Sequence, residues 1–303
     1  MKTVTDNQIT ICGHGCANPS TKNLNVYSTT RYNQRAKNGV HKGIVEVRRH
    51  HMMNDKDRSA FVSTYKTILG RNLYNQNRRQ YVYSKYSDGK YYSDCSSSGM
   101  ATMAKIGLDT GGLLNTAGIH SSGKFKTVDV TIKNGHITDP WKLEVGDCIL
   151  FAGSDPSRPK QIGHVEYVYN MPGFKCDIKK KCCIYKKKDQ TAKKIATHFD
   201  GDTIRIFEDC KDGWSLCTDG KVLGYIKNHC VNKVGLSGYL KGTINHDTVI
   251  KEKNAKTSAT ITGIAAGTPI KIITMRKNWT YISGEPAGVT VRGWVPTKYV
   301  SYK

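Results

Sequence analysis

The chain has 303 residues, enough for two or three domains with real cores. Its net charge is +23, from 47 Lys+Arg against 24 Asp+Glu. That excess favours an anionic partner, nucleic acid or an anionic wall or membrane surface, but no zinc-finger, homeodomain or RNA-binding signature accompanies it, so no specific nucleic-acid reader is expected.

Residues 1–55 are rich in Asn, Lys, Arg and His and show weak periodicity, which predicts an irregular lead-in. Residues 1–7 have no apolar core, so no secretory signal is expected there, and no apolar run approaches the roughly 20 residues that span a bilayer. Ten cysteines are many for an intracellular enzyme and few for a disulfide scaffold of this length. The expectation is synthesis in the cytoplasm with reduced thiols, and separate release if the protein acts outside. Cys12-Gly13-His14-Gly15-Cys16 holds three zinc-ligand types, but a structural zinc takes four at wider spacing. The alternative is a glycine loop that brings His14 to substrate.

Residues 57–71 predict a helix, with Phe61, Tyr65, Ile68 and Leu69 at three- and four-residue spacing and Gly70 at its end. A tyrosine-rich approach (Tyr81, Tyr83, Tyr86, Tyr91, Tyr92) leads to Ser93-Asp94-Cys95-Ser96-Ser97-Ser98-Gly99, which opens a second helix. Ser93 or Asp94 caps it, and its N-terminus stabilises a thiolate at Cys95 and offers N–H groups to an oxyanion. Residues 128–132 alternate as a strand, and residues 143–151 read as a turn feeding a buried strand. Gly163-His164-Val165 then opens another alternating strand, and Met171-Pro172-Gly173 predicts a hairpin. Cys95 and His164 thus have the residue types of a nucleophile and its base. The residue that orients His164 stays open between Asp177, which that hairpin would bring alongside, Glu166 on the same strand, and Asn170. Tyr92, Asp94, Ser96 and His14 are candidate substrate contacts.

From about residue 184 the chain changes to short strands and repeats itself. Gly213-Trp214-Ser215 followed by Gly224-Tyr225-Ile226 recurs as Asn278-Trp279-Thr280 followed by Gly293-Trp294-Val295. Trp214 and Trp279 are candidate ligand-binding aromatics. Cys182, Cys183, Cys210, Cys217 and Cys230 offer bridges in an oxidising exterior, with a connectivity that sequence does not give.

The ordered set Asp94-Cys95-Ser96, then Gly146-Asp147 with an apolar strand, then His164-Val165, resembles the NlpC-type peptidoglycan cysteine peptidases and, less closely, the CHAP amidases. Ser97 departs from the glycine usual there. The two C-terminal repeats resemble bacterial SH3 (SH3b) modules, and the whole chain resembles modular phage endolysins. The resemblance implies an α+β papain-like domain over 1–183, whose cysteine helix packs on an antiparallel sheet, followed by SH3-like barrels over 184–235 and 236–303. It implies a cofactor-free, metal-free hydrolase that cuts a stem-peptide amide through a Cys95 thioester. The bond is D-glutamyl–diamino acid, or alternatively muramoyl–L-alanine. The implied partners are peptidoglycan and anionic wall polymers. A transferase of the same fold, a non-catalytic wall-binding protein and a basic nucleic-acid binder are the rivals.

Overall fold

The computed structural model describes residues 9–14, 24–28, 43–210, 212–231, 240–276, 278–286 and 291–302. It contains several antiparallel sheets and few helices, divided into two units, Met1–Pro172 and Gly173–Lys303. No helix among the described residues is long and apolar enough to cross a membrane.

The first unit runs β1 (Thr10–Gly13), β2 (Asn25–Ser28), β3 (Ile44–His50), α1 (Asp55–Lys66), β4 (Leu73–Tyr74), β5 (Tyr92–Ser93), α2 (Cys95–Lys105), α3 (Thr116–Ser121), β6 (Phe125–Thr127), β7 (Ile132–Lys133), β8 (His136–Ile137), β9 (Cys148–Ala152) and β10 (Ile162–Asn170). Its main sheet has the order β2-β1-β10-β9-β3-β6. The lead-in expected to be irregular therefore supplies three of its strands. They escape a period-two reading because β1 and β3 are short and largely buried, so no polar face alternates with an apolar one. The strand expected over residues 128–132 is displaced: β6 ends at Thr127, and Val128 N–H donates to Val47 O at 2.9 Å before the chain leaves the sheet.

Both faces of the sheet are covered. Cys148, Leu150, Val165 and Tyr167 pack with Phe61, Tyr65, Met100 and Met103 of α1 and α2. Ile149, Phe151 and Val168 pack with Ile9, Ile11 and Val47 in a second cluster. The alternation of β10 is thus not an inside–outside pattern, because its polar members His164 and Glu166 are also buried. α1 starts at a capping box between Asn54 and Asp57 and buries Phe61 and Tyr65. It ends at Lys66, short of the expected Arg71.

The second unit runs β11 (Phe174–Asp177), β12 (Cys182–Tyr185), β13 (Lys194–His198), β14 (Thr203–Asp209), β15 (Trp214–Thr218), β16 (Leu223–Lys227), β17 (Leu240–Ile244), β18 (Thr248–Lys251), β19 (Thr260–Ile264), β20 (Pro269–Arg276), β21 (Trp279–Gly284), β22 (Val291–Pro296) and β23 (Val300–Tyr302). These form one sheet ordered β11-β14-β15-β16-β12-β13 and another ordered β19-β18-β22-β21-β20-β17-β23.

The sequence repeat is repeated in the ladders. Trp214 pairs with Lys227 and Leu216 with Tyr225, as Trp279 pairs with Pro296 and Tyr281 with Trp294. Tyr185 pairs with Tyr225 as Lys251 pairs with Trp294. The glycine before each of those aromatics is forced by a close crossing. A Cβ on Gly224 would lie 2.5 Å from Tyr185 O, and one on Gly293 would lie 2.7 Å from Lys251 O. Ile178 bridges Val231 as Ile244 pairs with Val300. The first repeat therefore begins with β11 at Phe174 rather than at residue 184, and residues 174–183 belong with the second unit.

Candidate active site

Cys95 is the first residue of α2, and Asp94 is its cap. Asp94 Oδ1 accepts from Ser97 N–H at 2.6 Å, and Ser97 Oγ accepts from Asp94 N–H at 2.8 Å. The serine that stands where a glycine is usual is thus half of a capping box. Asp94 is buried, and Arg79 offsets its charge. Arg79 Nε lies 3.0 Å from Asp94 Oδ2, and a terminal nitrogen donates to Ser96 Oγ at 2.9 Å. Ser96 Oγ also donates to Asp94 Oδ1 at 3.1 Å. Asp94 and Ser96 hold the helix start.

Two contacts set α2 against β10. Tyr167 O–H donates to Ser96 O at 2.7 Å, across the first turn of the helix. A Cβ on Gly99 would fall 2.1 Å from the Tyr167 ring, so only glycine lets the ring lie there. His164 follows a bulge in β10, between the pairs Ile162↔Ala152 and His164↔Phe151. Gly163 and Gly153 touch backbone to backbone at that bulge, and a Cβ on Gly163 would lie 2.7 Å from Gly153 Cα. His164 is buried, its ring 5.7 Å from that of Phe151, and its Nε2 lies 3.4 Å from Glu166 Oε1.

The remaining walls come from β1 and β4. Gly13 abuts Glu166, where a Cβ would stand 3.0 Å from Glu166 Cγ. His14 is buried, with Nε2 2.7 Å from Ser93 Oγ and its ring edge-on to Tyr74 at 5.2 Å. Tyr74 pairs with Ser93 in the β4–β5 ladder. Its phenol is pushed above the ordinary tyrosine value, first by burial and then by Cys95 and Asp94, while His164 pulls it down. Neither Tyr74 nor Arg79 stood out in the sequence; Tyr74 precedes the tyrosine-rich approach that begins at Tyr81.

The candidates for orienting His164 separate cleanly. Asp177 lies on β11, paired with Thr203 of β14, and its Oδ1 accepts from Thr203 Oγ at 3.2 Å. The neighbours of β10 are β1 and β9, and β11 pairs with β14, so the hairpin expected to bring Asp177 alongside His164 does not form. The reason lies at Gly173, where a Cβ would be 2.0 Å from Ile206 O; the glycine serves the close approach of β14. Asn170 ends β10 opposite Thr10. Glu166 is the carboxylate that meets His164.

Tyr92 is buried, and its hydroxyl is engaged by Asp88 at 2.6 Å and Arg78 at 3.0 Å, which order the 78–92 loop. Asp147 is taken by Arg49 at 2.6 and 2.7 Å and accepts from Glu144 N–H at 2.8 Å, so the Gly146-Asp147 turn is a structural joint. In the second unit Trp214 is buried against Tyr185, ring centres 5.5 Å apart, and Trp279 is half-buried. Cys16 of the possible zinc motif lies outside the described residues. Among the described residues no three His, Cys, Asp or Glu side chains converge to hold a metal ion.

No protein-family model matches this chain, and no curated protein matches it. Among solved structures it is similar to NlpC2 and NlpC1 from Trichomonas vaginalis. The identities are 9% and 11%, each with a TM-score of 0.24 and each covering 44% of this chain. The matches span about half of those proteins, 49% and 47% of their chains.

Chemically, Cys95 differs from the other two described thiols of its unit. Burial pushes the thiols of Cys12 and Cys148 well above the ordinary cysteine value, which makes them inert. Cys95 instead stands on the first turn of a capped helix, where unpaired N–H groups and the helix dipole favour an anion. The Asp94 side chain takes the N–H of Ser97, not that of Cys95.

Proposed function

We propose that the first unit is a cysteine hydrolase that cuts an amide bond of the peptidoglycan stem peptide. The observation that carries this reading is Cys95 on the first turn of a capped helix, with Tyr167 of the strand that bears His164 donating to Ser96 O in that same turn. Cys95 Sγ adds to the amide carbonyl carbon, and the helix N-terminus, through the Cys95 N–H, receives the oxyanion. His164 takes the thiol proton and delivers it to the departing amine. Water, deprotonated by His164, then opens the thioester to a carboxylic acid and restores the thiol. Glu166, with Oε1 3.4 Å from His164 Nε2, is the group proposed to orient the imidazole.

The substrate class rests on the motif resemblance and on the second unit. Two copies of one ladder pattern, each with a tryptophan and a glycine-preceded aromatic, fit a pair of SH3b-like wall-binding modules. A net charge of +23 adds long-range attraction to anionic wall polymers. The proposed cut is D-glutamyl–diamino acid, with the muramoyl–L-alanine amide as the alternative, and the proposed place of action is the bacterial wall after release from the host cytoplasm.

Digestion of purified walls followed by mass spectrometry of the released muropeptides tests the reading. New D-glutamate carboxyl ends are expected. Free L-alanine amino ends would instead identify an amidase. Undiminished release by a folded Cys95→Ala protein would remove the mechanism.

A further inference from the structure

We propose that Cys182 and Cys230 form a thiol–disulfide exchange site that closes one intramolecular disulfide within the first repeat when the protein meets a small-molecule disulfide. Cys182 opens β12, and Cys230 ends the short helical turn Asn228–Cys230 after β16. Two backbone ties hold these segments together: Lys179 N–H donates to Cys230 O at 2.9 Å, and Ile178 bridges Val231. Both side chains belong to the same core cluster. Cys230 is the largest influence on the Cys182 thiol after burial.

Two comparisons single out this pair. Cys176 and Cys217 of the same cluster are 1% and 0% exposed, whereas Cys182 and Cys230 are 8% and 6% exposed, so of these four a reagent reaches Cys182 and Cys230 more readily, although Cys183 and Cys210 outside the cluster are less buried. In the second repeat, Thr248 and Tyr299 occupy the positions of Cys182 and Cys230, each placed by the same strand starts and the same bridge. The architecture closes without cysteine there, so packing alone does not account for two adjacent thiols.

With oxidised glutathione as oxidant, the thiolate of one cysteine attacks a glutathione sulfur and releases one glutathione thiol. The thiolate of the other then attacks the protein-bound sulfur and releases the second. Two protein thiols and one glutathione disulfide become one protein disulfide and two glutathione thiols. Burial, then the neighbouring Cys230, pushes the Cys182 thiol up to about 12. Closure is therefore slow near neutral pH and quickens as pH rises.

The test incubates the native full-length protein with oxidised glutathione, blocks remaining thiols, and maps disulfides by mass spectrometry without reduction. Fragmentation between residues 182 and 183 assigns the linkage, and a Cys183→Ser protein is mapped in parallel. A Cys182–Cys230 peptide that disappears with dithiothreitol is expected, with a rise of several degrees in the melting midpoint that a Cys230→Ala protein does not show. Linkage through Cys183 or Cys217, crosslinks between chains, or glutathione adducts without closure would overturn it.

Discussion

Glu166 Oε1 lies 3.4 Å from His164 Nε2, and the two residues share one face of β10 with Gly13 of β1 against the carboxylate. In the proposed mechanism a carboxylate held there would orient the imidazole. Replacing Glu166 with Gln keeps the shape and removes the charge. The expected result is a fall in kcat of about tenfold to a thousandfold with KM little changed, since orientation acts on the transition state. Steady-state kinetics on soluble wall peptide measures it. An unchanged kcat would return the orienting role to another group.

Selective alkylation checks the nucleophile. Iodoacetamide at neutral pH should label Cys95 ahead of Cys12 and Cys148, whose thiols burial holds protonated. Peptide mapping over a time course reads the order. Equal or reversed labelling would favour a non-catalytic wall-binding protein.

Gly99→Ala is expected to destabilise the first unit, although Gly→Ala inside a helix ordinarily gains about 1 kcal/mol. The added methyl meets the Tyr167 ring at 2.1 Å. Overpacking of this kind costs about 1–3 kcal/mol and would move the Tyr167–Ser96 hydrogen bond that seats Cys95. Urea unfolding and the rate of wall digestion should both fall. A stabilised, fully active variant would contradict the packing described.

Gly224→Ala and Gly293→Ala form a matched pair. Each methyl would press on the backbone carbonyl of a crossing strand, Tyr185 O or Lys251 O. Each is expected to cost about 1–3 kcal/mol and to weaken pelleting with purified walls. Differential scanning calorimetry separates this from a loss at the surface.

Glu46 predicts an acid limb in stability. Burial works to raise its carboxyl pKa, but the His120 hydrogen bond, then Lys160 and Thr127, more than offset this, and the folded value lies below the ordinary one. A depressed carboxylate stabilises the fold above its unfolded pKa of about 4.3, and that contribution is lost as pH falls through the folded pKa. Glu46→Gln should therefore flatten the fall in melting midpoint below about pH 4.3. An unaltered acid limb would assign the loss to other carboxylates.

Some of this protein was written in short stretches of its chain. Asp94 before Cys95, with serines after it, specifies a capped helix start because each capping bond joins residues three apart. The order of Trp214, Gly224 and Tyr225 and of Trp279, Gly293 and Trp294 marks a repeat, because each glycine answers a crossing that recurs. The partner of His164 was not written in this way. Which strand lies beside β10 is settled by competition between distant segments, and β1 holds that place while β11 pairs with β14. That choice removes Asp177, leaves Glu166 buried against Gly13, and brings His14 to Ser93. Periodicity reports which side of an element is buried, not what is buried against it. Only the folded chain could decide that a polar, alternating strand has both faces covered and that its carboxylate meets its histidine.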